Sequence, residues 1–346
     1  MNRLIDLRSD TVSHPSPEMR RAMYEAELGD DYYRDDPTVH ALEEKAAEAL
    51  GMEAGLLVLS GTMGNLAAVL THTDRGDSVI LDAACHIANN EAGHVATLGS
   101  VYPRTVQTGG GFMTVAQLEA AIFPNSVLHP RTTLLCLENT HNAAGGICLS
   151  PAGTAALAEA AHKRGLKVHI DGARIFNAAV ALGVPAADLV RPVDSITFCL
   201  TKGLACPVGS VLCGSRDFIE AARHWRHAVG GGMRQAGIFA AAGVVALESM
   251  IERLAEDHAT AKRLATHLAE AGLAIDPGAI QTNMVFVELP EGGPDPVRFV
   301  ADLAEAGVRI NPPKGRRLRF VTHYGIEAED IDLAGRQIAQ VCKQAA

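Results

Sequence analysis

The sequence predicts an α/β fold. An N-terminal arm and a large domain with a doubly covered, mostly parallel sheet occupy 1–240, and a linking helix and small α+β domain occupy 241–346. Three observations predict it. Short apolar runs recur with helical patterns between them, the runs are continuous rather than alternating, and the pattern changes after about residue 237. Continuous apolar strands are buried on both faces, and interleaved helices imply right-handed crossovers. A length of 346 residues agrees, because a domain takes roughly 150.

Taken in order, Asp30–Pro37 reads as an irregular polar loop, after which Thr38 is expected to cap a helix with Glu43 and Glu44 in its opening turns. Gly55–Leu59 is a strand, and Gly61-Thr62 opens a helix through about Leu70. Asp77–Leu81 is the next strand, followed by a helix around Asn89–Ala96. Thr132–Glu138, Leu166–Asp171, Ser195–Leu200 and Ser210–Cys213 complete the central strands, with a helix at Pro151–Arg164 between the first two. One or two long helices fill 237–271. Thr282–Glu288 and Arg317–Thr322 are then strands, Pro296–Ala306 a helix, and an amphipathic helix runs to about Gln344.

Composition excludes several classes of function. Lys+Arg 30 against Asp+Glu 40 gives a net charge of −10, so no basic excess offsets the repulsion of nucleic acid. Lys314-Gly315-Arg316-Arg317 reads as a solvated loop. Met1–Arg8 carries charges where a secretory leader needs an apolar run. The most apolar stretch, Gly237–Leu247, is too short to span a bilayer, so no membrane is expected. Seven cysteines with no C-x-x-C pair argue for a reducing, cytoplasmic setting and against a disulfide framework or a zinc site; no metal is expected.

The chemistry gathers at strand ends, where open α/β sheets bind ligands. Ser60-Gly61-Thr62-Met63-Gly64-Asn65 follows a strand and opens a helix, so its backbone N–H groups suit an anion. The spacing is neither a dinucleotide fingerprint nor a phosphate-binding Walker loop. Asp171 ends a buried strand and needs a cation, for which Arg174 is the nearby candidate. Lys202 closes a later strand, where desolvation makes its amine competent to form an imine. An anion site, a buried carboxylate and such a lysine together suit pyridoxal 5′-phosphate, which has a phosphate, a protonated ring nitrogen and an aldehyde. At an effective dielectric near 20, opposite charges about 4 Å apart attract by about 4 kcal/mol, enough to hold the ring proton on at neutral pH.

Ile5-Asp6-Leu7-Arg8-Ser9-Asp10-Thr11-Val12, Ser60–Asn65, Glu138-Asn139-Thr140-His141-Asn142, Asp171–Asn177, Lys202-Gly203, Gly230–Gln235 and Arg319–His323 run in family order from residue 5 to 323. In these blocks the chain resembles the low-specificity L-threonine aldolases. The resemblance implies the aspartate-aminotransferase-like fold (type I), with a large seven-stranded-type sheet domain, a small C-terminal domain, and homotetramers built from dimers that share active sites. It implies that Lys202 carries pyridoxal 5′-phosphate, Asp171 pairs with the pyridine nitrogen, and Gly61 and Thr62 hold the phosphate. Arg234 would be a phosphate ligand for a neighbouring subunit. Ser9, Arg174 and Arg319 would bind the substrate carboxylate, with Arg174 also near the cofactor's phenolic oxygen, and Tyr33 belongs to the substrate pocket. His86 would stack on the ring and His141 contact the β-hydroxyl, and either is a candidate base. Other histidines, including His72 and His94, are assigned no catalytic role, and His169 is placed in packing on the face of its strand opposite Asp171.

The implied activity is retro-aldol cleavage of L-threonine, L-allo-threonine and related β-hydroxy-α-amino acids to glycine and an aldehyde. The substrate is a small amino acid. Two positions depart from the family pattern: Arg34 stands where a glycine is usual, and Ala88-Asn89-Asn90 follow His86 where aromatics are common. A β-eliminating lyase or aminotransferase on the same fold is the near alternative, and a non-catalytic binding protein the remote one.

Overall fold

The structure is a computed structural model that describes residues 4–345, so Met1–Arg3 of the stretch read for a leader lie outside the described residues. Eleven strands are present among these residues: β1 (Ile5–Asp6), β2 (Ala54–Val58), β3 (Ser78–Asp82), β4 (Tyr102–Val106), β5 (Thr132–Glu138), β6 (Lys167–Asp171), β7 (Ser195–Cys199), β8 (Ser210–Gly214), β9 (Met284–Glu288), β10 (Val308–Arg309) and β11 (Arg317–Val321). Seven form one sheet in the order β2-β8-β7-β6-β5-β3-β4, with β8 antiparallel to both its neighbours and the other pairs parallel. The expected α/β architecture is the observed one. β3, β7 and β8 are buried throughout, as continuous apolar runs require.

This topology collects chemistry at one edge. β2, β3, β5, β6 and β7 all run the same way, so Ser60, Asp82, Glu138, Asp171 and Cys199 stand at or just past their C-terminal ends. Register aligns Glu138 with Asp171, and Asp171 with Thr197. The helix Gly61–His72 begins directly above this edge, with Ser60 Oγ accepting the Met63 N–H at 3.2 Å.

Four apolar clusters fill the described residues, two of them smaller ones against the large sheet, around Val79 and Leu81 and around Leu56 and Leu212. The first and largest packs on one face of the large sheet and includes Ala240, Ala242, Ala246 and Leu254; a second gathers Ile5 and Leu7 with residues from Ala261 to Val341. The change of core therefore falls inside the helix Leu254–Glu270, because Gly237–Ser249 packs its alanines on the first core. The N-terminal arm crosses to the second core through β1, which pairs with β10.

Other expectations need correction. Asp36, not Thr38, caps the helix Pro37–Leu50, its carboxylate accepting the Thr38 and Val39 N–H groups, while Thr38 Oγ1 donates to Glu27 O. The helix expected around Asn89–Ala96 is two short ones, His86–Asn89 and His94–Thr97, split where Ala92 and Gly93 take positive φ. β4 has no apolar run because it is an edge strand, largely exposed and containing Pro103. The amphipathic helix Arg216–Ala228, which buries Phe218, Ile219 and Ala222, was not anticipated.

Candidate active site

A cavity of about 290 Å³ opens at the C-terminal edge of the sheet and is lined by Ser9, His86, Asp171, Arg174, Lys202 and Arg319, all expected site residues. Larger cavities lie elsewhere, one of about 680 Å³ beside Arg223 and one of about 760 Å³ against the C-terminal helix, but neither holds a lysine with a buried carboxylate. Chemistry, not volume, singles out the smaller one.

Asp171 is buried and accepts hydrogen bonds from Asn65 Nδ2 at 3.0 Å and from the Ala173 N–H at 3.1 Å. Its expected partner is absent. Arg174 instead grips Asp10 with two bonds, Nε to Oδ2 at 2.6 Å and Nη2 to Oδ1 at 2.7 Å. The backbone turns away after β6, and the buried N-terminal segment supplies a carboxylate that was not assigned a role. Asp171 is left without an ion-paired cation among the described residues. Burial, with the Glu138 and Glu91 carboxylates nearby, pushes it up to about 6.

Arg319 has the complementary deficit. Its Nε is buried without a partner among the described residues, Nη2 donates to Asn142 Oδ1 at 3.2 Å, and burial with the Arg174 charge brings the guanidinium down to about 10. The cavity therefore holds a buried carboxylate and a largely buried guanidinium, neither of them in an ion pair among the described residues.

His86 sits half-buried on one wall. Glu138 Oε2 accepts its N–H at 2.5 Å, and Nδ1 bonds Glu91 Oε1 at 2.7 Å; that bond raises the imidazole's proton affinity. Nε2 is the ring nitrogen without a protein partner among the described residues. Glu91, which the sequence reading passed over, also takes Asn65 Nδ2 at 2.9 Å and pairs with His94. Burial opposes its ionisation, but these histidines hold it well below the ordinary range.

His141 is not part of the cavity wall. Its Nε2 bonds Asp82 Oδ1 at 3.1 Å, Nδ1 accepts the Ala144 N–H at 3.3 Å, and Phe112 lies edge-on at 6.0 Å. Its neighbours Thr140 and Asn142 do line the cavity, and Thr140 Oγ1 is buried without a partner among the described residues. Tyr33 and Arg234 also stay outside it. Tyr33 is 72% exposed, and Arg234 lies over the Tyr32 ring with Asp30 at 3.5 Å.

His169 was misplaced. Residues two apart on a strand share a face, so it lies on the Asp171 side, with Nε2 3.1 Å from Asn65 Oδ1. The Lys314–Arg317 segment is not merely solvated either. Lys314 lines the cavity, and Arg317 covers Phe286 at 3.9 Å and donates to Ala143 O. Of the two departures from the family pattern, Asn90 lines the cavity, whereas Asn89 is spent on the Ala83 and Cys85 carbonyls.

Gly61 and Thr62 occupy the first turn of their helix, where N–H groups have no intrahelical acceptor. A Cβ on Gly61 would come within 2.8 Å of Cys199 Sγ, so this helix start lies against the end of β7, three residues before Lys202. A Cβ on Gly64 would meet Thr197 Cγ2 at 2.5 Å. These glycines let the helix close on the sheet. The donor set fits pyridoxal 5′-phosphate: open N–H groups for a phosphate, an amine, and a buried carboxylate that lacks a cation.

The sequence profile of the beta-eliminating lyase family matches residues 6–290. The chain is 50% identical over 270 residues to low-specificity L-threonine aldolase 1 of Arabidopsis thaliana, covering 77% of this chain and 75% of that one. It is 47% identical over 270 residues to the low specificity L-threonine aldolase of Escherichia coli (strain K12), with 78% and 80% covered. Among solved structures, the threonine aldolase of Leishmania major superposes with a TM-score of 0.83 at 20% identity over 99% of this chain and all of that one. A serine palmitoyltransferase of Sphingomonas wittichii gives 0.77 at 17% identity over 99% and 88%; at such identities these two share the fold.

Proposed function

The chain belongs to the beta-eliminating lyase family and, within it, to the low-specificity L-threonine aldolases, and from that premise we propose that it binds pyridoxal 5′-phosphate in the cavity of Lys202 and cleaves L-threonine and L-allo-threonine to glycine and acetaldehyde. It is a carbon–carbon lyase. One observation carries the reading: Asp171, pushed up to about 6 by burial and the neighbouring carboxylates, and Arg319, brought down to about 10 by burial and the Arg174 charge, face one cavity with Lys202. A ring nitrogen and a substrate carboxylate are the groups that would complete them.

Lys202 would carry the cofactor, Asp171 hold a proton on its ring nitrogen, Gly61 and Thr62 bind the phosphate, and His86 lie against the ring. When bound, the cofactor supplies a sink for the electron pair left as Cα–Cβ breaks. The protein does the rest. Arg319 and Ser9 orient the substrate carboxylate, and Arg174 contributes whatever donor Asp10 leaves free. His86, which lines the cavity with its Nε2 free of protein partners among the described residues, is the better placed of the two histidines to take the β-hydroxyl proton; His141, held by Asp82, is the second candidate.

Tyr33 and Arg234 lie outside their own cavity on exposed positions, which supports a role in a neighbouring subunit's site and a homotetramer built from dimers. All seven cysteines are free, in keeping with a reducing, cytoplasmic setting. No helix among the described residues is long and apolar enough to cross a membrane.

The test follows acetaldehyde by coupled NADH consumption, with purified protein, added cofactor, and the two threonine diastereomers side by side. Acetaldehyde from either supports the reading, and the ratio reports the preferred β-configuration. Ammonia and a keto acid without acetaldehyde would assign β-elimination instead.

A further inference from the structure

A buried chain of hydrogen bonds leads away from Asp171 to a separate part of the molecule. Asn65 Nδ2 donates to Asp171 Oδ2 at 3.0 Å; His169 Nε2 lies 3.1 Å from Asn65 Oδ1; His169 Nδ1 lies 2.9 Å from Ser195 Oγ; and Ser195 Oγ lies 2.7 Å from His72 Nε2. Asn65, His169 and Ser195 are each at most 1% exposed. His72 stacks on Phe218 at 4.4 Å and lines a different cavity, of about 580 Å³, with Lys167 and Asp194.

The direction of every bond is determined. Asn65 Nδ2 also faces Glu91 Oε1 at 2.9 Å, and only an NH₂ group can stand between two carboxylates. Oδ1 is therefore the acceptor, so His169 carries its proton on Nε2. Nδ1 then accepts from the Ser195 hydroxyl, and that oxygen accepts from His72 Nε2–H. The arrangement needs His169 neutral, since its Nδ1 must accept. Burial brings His169 down to about 3 and His72 down to about 4. Each hydrogen points toward Asp171, and aligned donors polarise one another.

We propose that His169 is a positioning residue for the aldol cleavage, acting through Asn65 in a one-way chain from His72 that holds the Asp171 carboxylate ionised and aimed into the cavity. This rests on the assignment of Asp171 to the cofactor's ring nitrogen. The chain accounts for a buried histidine, a half-buried one and a buried serine that the reaction itself does not use.

The test compares His169→Leu, which removes the donor, with His169→Gln, which keeps an N–H near the Nε2 position. Steady-state kinetics with L-threonine are measured beside the dissociation constant of pyridoxal 5′-phosphate, titrated into cofactor-free protein. His169→Leu is expected to lose about tenfold in kcat and about tenfold in cofactor affinity, the scale of one hydrogen bond, with KM little changed. His169→Gln restores most of both. His72→Phe, which keeps the stack on Phe218 but removes the donor to Ser195, gives a smaller loss of the same kind and serves if His169→Leu does not fold. Wild-type kcat and cofactor affinity in His169→Leu, or in His72→Phe where that variant stands in, would overturn the proposal, as would equal losses in the Leu and Gln variants. Full turnover by Asp171→Asn would instead remove the assignment beneath it; loss there with no effect at His169 would remove the chain alone.

Discussion

Asp10 and Arg174, 164 residues apart, form a buried bidentate ion pair at 2.6 and 2.7 Å. Asn283 Nδ2 adds a third bond to the same carboxylate at 3.2 Å. These bonds tie the N-terminal arm, the turn after β6 and the start of β9 together beside Arg174, which lines the cavity. Burial would raise the Asp10 carboxyl, but the Arg174 charge and its two donors hold it far below the usual range.

Removing one partner is therefore expected to cost more than the pair is worth. Asp10→Ala leaves a guanidinium buried and unpaired, a loss of about 3–5 kcal/mol in urea unfolding at neutral pH. The double variant Asp10→Leu/Arg174→Met should regain most of that stability and remain inactive. Because the folded Asp10 pKa is depressed, its contribution is complete above the unfolded value near 3.9 and fades as pH falls below it. The stability gap between wild type and Asp10→Ala should narrow in the same direction. A gap independent of pH would show that the pair is not its source.

Asp171 has the opposite sign. A carboxyl raised to about 6 in the folded protein contributes stability below its unfolded pKa and loses it as pH rises through 6. In cofactor-free protein at pH 7 the cost is on the order of 3 kcal/mol. Asp171→Asn should consequently leave the thermal midpoint of that protein unchanged or higher while turnover falls at least about a hundredfold. Scanning calorimetry of both cofactor-free proteins checks it; a clearly lower midpoint in the variant would contradict the sign.

Gly64 tests how tightly the anion-binding helix is seated. A methyl group there would stand 2.5 Å from Thr197 Cγ2 and 2.8 Å from Thr197 Oγ1, so strand or helix must move. Gly64→Ala is expected to cost about 1–3 kcal/mol in stability. It should also weaken phosphate binding, because Gly61 and Thr62 ride on the displaced turn. Titration with pyridoxal 5′-phosphate separates the two effects.

Arg34 takes φ +62°, the left-handed region, at the position where the family pattern has glycine, and pairs with the exposed Glu220. Glycine would relieve roughly 1 kcal/mol of backbone strain. It would forfeit a surface pair worth about 0–1 kcal/mol and add unfolded-state freedom of about 0.4–1 kcal/mol. Arg34→Gly should then shift stability by less than about 1 kcal/mol in denaturant titrations. A change in the threonine to allo-threonine ratio in that variant would belong to the substrate pocket, not to the fold.

Which parts were legible follows from range. Strands buried on both faces declare themselves by composition, so β5 was placed to the residue and the strand ends bearing Asp171 and Lys202 were readable. Groups that act through distant partners were not. Asp10 sits in a quoted motif, but nothing local says that it captures Arg174. Glu91 gave no signal beyond an acid after a histidine, and its value comes from Asn65, His86 and His94 converging on it. Alternation along β6 could have placed His169 correctly, since positions 169 and 171 share a face.

The two histidines can be separated by pH. A general base must be unprotonated, so kcat/KM should rise with pH through the pKa of whichever imidazole serves. The bond to Glu91 raises His86 above its ordinary 6.5, so the acid limb in wild type should lie above that value. Glu91→Gln removes the anion and should move the limb down. His86→Phe keeps a flat ring on the cavity wall and should abolish the limb while lowering kcat by about a hundredfold or more. His141→Asn loses the bond to Asp82 but removes no group from the wall, and should retain the limb with a smaller loss. A profile of kcat/KM for each variant between about pH 5.5 and 9 decides the assignment, because that window brackets histidine titration. Loss of the limb in His141→Asn, with His86→Phe keeping it, would transfer the base to His141 and require its ring to leave Asp82 during turnover.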